Sequence, residues 1–211
     1  MTSPRQDPNG SFSRRSFLKG ASAAAASGAI LTAGDPTTGK AADVKRYPHG
    51  FHDITLKVNG VERTAKIEPR TTLLDAVRDR LDLTGAKKVC DRGSCGACLV
   101  LLDGEPVNSC MTLALDAVGG EVTTIESFSA DGNLHPLQEA FVQCDGLQCG
   151  YCTPGQVISA HACIERHGVP DLDTIKHEMS GNICRCGTYG RIFEAIQKTA
   201  RGEITTGRAV R

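Results

Sequence analysis

The chain has 211 residues, with 24 Lys and Arg against 24 Asp and Glu and a formal net charge of zero. That length fits one ordinary domain or two small ones. The charge balance removes the basic surface on which nucleic-acid affinity rests and gives no pull toward an anionic membrane. With six Phe, three Tyr and no Trp the core must be largely aliphatic, and the ten cysteines carry the information.

Residues 13–19 read Ser-Arg-Arg-Ser-Phe-Leu-Lys, and an uncharged Ala/Gly-rich stretch runs from Gly20 to Gly34. Paired arginines ahead of a mildly apolar segment form the twin-arginine export pattern. The segment falls short of the roughly 20 apolar residues that a membrane span needs. Residues 1–50 are therefore read as a twin-arginine signal and linker addressed to the periplasm, with no transmembrane span. The bland alternative is an Ala-rich basic N-terminus. Cleavage between Ala33 and Ala42 and retention of the signal both remain open. The twin-arginine route carries folded cargo, which suits a protein that acquires its metal before export.

From residue 51 the pattern has period two: Ile54, Leu56 and Val58, an Asn59-Gly60 turn, then Val61, Ala65 and Ile67 on the return strand. Thr72 is expected to cap a helix, with Asp75 three residues on in an approximate capping box and Leu73, Leu74, Val77 and Leu81 on its buried side. A Gly/Cys-rich loop spans residues 85–98. Leu99–Leu102, Asp103-Gly104 and Val107 predict a second hairpin, and Val122–Ile125 a last strand. Together residues 51–130 make a small α+β domain.

After Asp131 the signals turn helical, and residues 131–203 form the second domain, with a tail over 204–211. Leu134, Leu137 and Phe141 fall at helical spacing. Thr153-Pro154-Gly155-Gln156 predicts a helix start with Thr153 as N-cap and Gln156 closing a capping box. That helix runs to Gly168, where Pro170 lies just beyond. A short helix is expected around Leu172–Met179 and a final one from Tyr189 to Ala200, so four helices with short links suggest a bundle.

The cysteines fall into two groups. Cys90-x4-Cys95-x2-Cys98 with Cys110 downstream has the plant-type [2Fe-2S] spacing. A cluster needs several thiolates converging from one tightly curled loop, and Gly93 and Gly96 permit the curl. Inward-turned backbone N–H groups can then bond sulfur. Structural zinc, which also takes four thiolates, more often uses two C-x2-C knuckles, and here there is one short pair. Cys149-x2-Cys152 and Cys184-x-Cys186 lie before two predicted helices, whose N-termini favour an anionic group. Zinc or a disulfide-stapled binding module remains the competing reading of these thiols.

The runs Leu147-Gln148-Cys149-Gly150-Tyr151-Cys152-Thr153-Pro154-Gly155, Gly181-Asn182-Ile183-Cys184-Arg185-Cys186-Gly187-Thr188-Tyr189 and Cys90-Asp91-Arg92-Gly93-Ser94-Cys95-Gly96-Ala97-Cys98 closely resemble the iron-sulfur subunit of the xanthine oxidase family of molybdenum hydroxylases. The resemblance covers roughly residues 51–200 in the family's motif order, and with the export signal the chain looks most like the small subunits of periplasmic aldehyde oxidoreductases. It implies an α+β fold: an N-terminal β-grasp domain of plant-type ferredoxin kind, then an all-α four-helix [2Fe-2S]-binding domain. It also implies two [2Fe-2S] clusters, the first on Cys90, Cys95, Cys98 and Cys110 and the second on Cys149, Cys152, Cys184 and Cys186. A large partner subunit holding a molybdenum-pterin cofactor, and often a third holding FAD, would complete a heterotrimer-like complex. Gln148 and Cys186 would lie beside the pterin. Electrons would run from molybdenum through the second cluster to the first and on to FAD or another acceptor, and no catalytic residue or substrate pocket is assigned to this chain. The implied reaction is oxidation of aldehydes to carboxylic acids, with hydroxylation of N-heterocycles and a stand-alone exported ferredoxin as alternatives.

Cys144 and Cys163 fall outside the pattern and are expected to be buried helical thiols. None of the six His has ligand spacing, and His161 is expected to pack on its helix. Arg185, between two ligand positions, is expected to raise the potential of the second cluster.

Overall fold

The computed structural model describes residues 46–129 and 132–204. The expected export signal and the end of the tail lie outside them. Strand β1 (His52–Val58) and strand β2 (Val61–Ile67) pair antiparallel, with Val58 opposite Val61 and His52 opposite Ile67. Asn59 and Gly60 turn the chain with φ of 53° and 76°, as a type I′ hairpin requires. Ile54, Leu56, Val58, Ala65 and Ile67 all point into the core, as the period-two reading expects, while Val61 beside the turn is exposed.

Helix α1 (Leu73–Asp79) lies across that face. The Thr72 hydroxyl accepts the Asp75 N–H at 3.1 Å, as the cap predicts. The Asp75 carboxylate does not complete a box; it pairs with Lys88 at 2.8 Å and holds the next loop. Leu81 is buried but lies past the helix end.

Strands β3 (Leu99–Leu102) and β4 (Glu105–Asn108) form the second hairpin. Strand β5 (Glu121–Thr123) is parallel to β1 and antiparallel to β3, giving the sheet order β2-β1-β5-β3-β4. The expected strand to Ile125 stops two residues short. Asn59 clamps Thr124, accepting its N–H at 2.8 Å and donating to its hydroxyl at 2.9 Å, and Ile125–Phe128 then winds into a 3-10 turn.

Helices α2 (Pro136–Gln143), α3 (Thr153–His167), α4 (Leu172–Glu178) and α5 (Tyr189–Ala200) follow. Leu134 stays outside α2 because His135 caps it: Nδ1 accepts the Leu137 N–H at 3.2 Å, and Gln138 accepts the His135 N–H at 2.9 Å. The expectation for α3 needs correction. Cys152 is its N-cap and Thr153 is already helical, because the Gly150 carbonyl in a preceding turn accepts the Thr153 N–H at 3.2 Å. Gln156 is buried instead of closing a box.

Leu137, Phe141, Val157, Ile175, Ile192 and Ile196 fill a second core. The two cores do not stand apart. Ile158 and Ala162 of α3 pack on Leu99 and Leu101 of the sheet, so α3 belongs to both. No helix among the described residues is long and apolar enough to cross a membrane.

Candidate metal centres

The loop before the first cysteine group is held from several sides. Arg78 on α1 donates to the carbonyls of Thr84 at 2.8 Å and Ala86 at 2.7 Å. Glu126, in the 3-10 turn, accepts the Gly85 N–H at 2.7 Å. Ser109 donates to the Cys98 carbonyl at 2.6 Å from full burial. None of these residues is a ligand candidate, yet together they set the position of the thiols.

None of the ten cysteines is in a disulfide. In the first group Cys95, Cys98 and Cys110 are buried and Cys90 is half-buried. The Cys95 side chain acts on the Cys90 thiol, and the Cys98 side chain acts on Cys110. Backbone amides aim at sulfur: Ser94 N–H at Cys90 and Gly93 N–H at Cys110, both at 3.3 Å. The Arg92 N–H, with those of Ser94 and Cys95, lowers the Cys90 thiol to about 7. Burial pushes Cys110 up to about 11, and the neighbouring Cys98 and Cys90 add to it.

The second group assembles from two loops. Cys152, at the N-cap of α3, meets the buried Cys184, which precedes α5. Burial pushes Cys152 up to about 12. Burial also raises Cys184, but the Thr188 hydroxyl and backbone N–H outweigh it and bring that thiol down to about 7. Cys149 is exposed and acts electrostatically on Cys152, while Cys186 is half-buried beside the same core. Gln148 and Arg185 are exposed.

The chemistry of this donor set suits iron and sulfide. Among the described residues no three His, Cys, Asp or Glu side chains gather closely enough to hold a single metal ion. A structural zinc ion needs four ligands around one point. Backbone N–H groups aimed at the sulfurs of Cys90 and Cys110 suit an anionic iron-sulfide group.

The two groups are joined by hydrogen bonds. Ile183 donates its backbone N–H to the Cys95 carbonyl at 3.0 Å. Asn182, 5% exposed, reaches the Gly96 carbonyl at 3.4 Å, and buried Gln156 reaches the Asn182 carbonyl at 3.5 Å. Gly96 has φ 68°, and a Cβ there would lie 2.7 Å from the Gly181 carbonyl oxygen. A Cβ on Gly155 would collide with the Gly96 carbonyl. Glycine at both positions lets the start of α3 rest directly on the first loop.

Cys144 and Cys163 lie in the second core, and burial raises both thiols, as expected for packing residues. His161 packs edge-on against Phe128, with ring centroids 5.0 Å apart. No local pattern marks the roles of Arg78, Glu126 or Gln156. Asn182 and Thr188 sat within quoted motifs without a role, although a polar residue beside a ligand position is a usable signal.

A ferredoxin-like sheet domain fused to a helical domain, each presenting grouped free thiols, defines a protein built to carry iron-sulfur clusters. A family described as "2Fe-2S iron-sulfur cluster binding domain" matches residues 56–124, and one described as "[2Fe-2S] binding domain" matches residues 124–197. The aldehyde oxidoreductase iron-sulfur-binding subunit PaoA of Escherichia coli O157:H7 is 44% identical, over 92% of this chain and 90% of that protein. Subunit beta of the 6-hydroxypseudooxynicotine dehydrogenase complex of Paenarthrobacter nicotinovorans is 45% identical, over 67% of this chain and 89% of its own. The crystal structure of quinoline 2-oxidoreductase from Pseudomonas putida 86 superposes with a TM-score of 0.69 at 39% identity, covering 73% of this chain and 99% of that one. The chain belongs to the iron-sulfur small subunits of the molybdenum hydroxylase family, and is the electron-transfer subunit of an oxidoreductase.

Proposed function

We propose that this chain relays electrons, one at a time, from a molybdenum-pterin subunit to an FAD-bearing subunit or another acceptor, in an enzyme that oxidises aldehydes to carboxylic acids. When bound, two [2Fe-2S] clusters supply the one-electron chemistry. In this reading Cys90, Cys95, Cys98 and Cys110 would hold the first cluster, and Cys149, Cys152, Cys184 and Cys186 the second. The reading divides the chain into a signal and linker (1–50), a β-grasp ferredoxin-like domain (51–130), a four-helix domain (131–203) and a tail (204–211).

The observation that carries the relay is the Ile183 N–H bond to the Cys95 carbonyl, at 3.0 Å. It closes a short route of covalent bonds and one hydrogen bond between a residue of each cysteine group. On the outer side Gln148 and Cys149 are exposed, with Tyr151 and Ile183 each about half uncovered. This is the face on which Gln148 and Cys186 would meet the pterin. Near the first group Val89 and Met111 are exposed, a surface suited to the next carrier.

The aldehyde reading is supported by the match to an aldehyde oxidoreductase subunit over 92% of this chain, whereas the 6-hydroxypseudooxynicotine dehydrogenase subunit matches 67%. Periplasmic delivery by the twin-arginine route follows from Arg14-Arg15 and Phe17-Leu18-Lys19.

Electron paramagnetic resonance on the anaerobically purified, dithionite-reduced complex, with iron and acid-labile sulfide counted, tests the reading. Two distinct [2Fe-2S] signals are expected, one lost in Cys95→Ser and the other in Cys149→Ser. A single signal sinks the relay. Turnover of the complex with an aldehyde and N-heterocycle panel decides the substrate class.

A further inference from the structure

Thr188 stands at the N-cap position of α5, yet its hydroxyl makes no bond to that helix. It is 7% exposed and faces the other way. There it donates to the Gly146 carbonyl at 3.0 Å, and it lies 3.3 Å from Cys184 Sγ. The Cys184 amide cannot serve this sulfur, because it donates to the Tyr189 hydroxyl at 2.8 Å.

We propose that Thr188 is a positioning residue that tunes the second cluster, its hydroxyl turning between the Gly146 carbonyl and the Cys184 sulfur as the cluster changes oxidation state. The inference rests on Cys184 being a thiolate ligand. A thiolate has no proton to give, so the hydroxyl's single proton then faces two acceptors in a buried place. Hydrogen bonds to anionic acceptors are about twice as strong as those between neutral groups. Adding one electron makes the sulfur more negative and the better acceptor, and the hydroxyl swings to it. Removing the electron returns it to the carbonyl. The O–H bond reorients and does not break, so no proton leaves the protein. The reduced state gains more than the oxidised state, which raises the midpoint potential.

The roles of Thr188 and of the backbone donors are separable. In the first cysteine group the sulfurs receive main-chain N–H groups from Gly93 and Ser94, which no side-chain substitution removes. Thr188 can be replaced by Val at nearly constant shape, losing the donor alone, and by Ser, keeping it.

The test is a redox titration of the intact complex with dithionite, which is oxidised to sulfite, following each [2Fe-2S] signal separately. In Thr188→Val the second signal should move to a more negative midpoint, so that several-fold less of it is reduced at the original midpoint. The first should not move, and Thr188→Ser should restore the original value. An unchanged second midpoint in Thr188→Val overturns the inference and leaves the cluster assignment standing. If Thr188→Val fails to fold, resonance Raman of the unaltered complex in H2O and D2O carries the test. The iron-sulfur stretches of the second cluster should shift on deuteration more when reduced than when oxidised, and an equal shift overturns the inference. Absence of a second signal in the unaltered complex overturns the thiolate assignment and this role with it.

Discussion

Gly155 and Gly96 touch: the start of α3 sits against the Gly96 carbonyl so closely that a methyl group on Gly155 has no room. The contact sets the distance between the two cysteine groups, since Cys152 caps the same helix and Cys95 precedes Gly96. Backbone meets backbone here, so no flexible side chain can absorb an added atom.

Gly155→Ala should therefore be destabilising by about 1–3 kcal/mol, the usual cost of overpacking a core. It should also slow electron exchange between the two groups. Thermal melting of the complex and freeze-quench resonance of the two signals measure the two effects. A variant with normal stability and normal exchange would remove the contact from the account.

Asn182→Leu keeps the volume but abandons the Gly96 carbonyl, to which Asn182 Nδ2 donates at 3.4 Å. Leaving that acceptor buried without its donor should cost about 1–3 kcal/mol. Chemical denaturation checks this, with Asn182→Asp as a variant of similar shape that lacks the donor.

Arg185 is exposed and stands between Cys184 and Cys186. Arg185→Gln removes a positive charge near the second cluster and should lower its midpoint. At about 1 kcal/mol for a solvated charge pair, the drop is about 40 mV for a one-electron couple. Raising the ionic strength should shrink the difference between the two proteins, because exposed charges are screened.

His135 gives the fold a pH dependence. Its Nδ1 accepts the Leu137 N–H, which requires that nitrogen to be unprotonated. Burial lowers its pKa below 6.5 and His161 lowers it further, while Glu165 opposes them. Between the folded value and 6.5 the unfolded chain holds more protons. Stability should therefore fall as pH drops through 6.5 and level off below the folded value. His135→Asn, a good cap that does not titrate, should flatten that part of the profile, and His135→Ala should cost about 1 kcal/mol above pH 6.5 and less as His135 protonates. Denaturation midpoints between pH 5 and pH 8 would reveal both.

Replacing Arg14 and Arg15 by Lys should leave the chain in the cytoplasm if the twin-arginine reading is right. Cell fractionation with antibody detection decides it.

What the sequence made legible was local. Asn59-Gly60 and the Thr72 cap were readable because turn and cap chemistry acts over two to four residues. The first cysteine group was readable because three of its thiols come from one loop. Glu126, 41 residues from the Gly85 amide it accepts, leaves no such trace. The Gly155 contact with Gly96 is also invisible, since many glycines merely turn the chain. Thr153 misled because Thr-Pro is a good helix start; the turn at Gly150, with φ 75°, moved the start one residue toward the N-terminus.

The order of the sheet bears on how the protein must be made. Strand β5 is the last of the five to leave the ribosome, yet it occupies the middle position, with β1 on one side and β3 on the other. Until residue 123 has emerged, the two hairpins have nothing between them. Nascent chains shorter than this hold two loose halves with exposed strand edges, vulnerable to proteases and to each other. Three residues thus act as a keystone of the sheet.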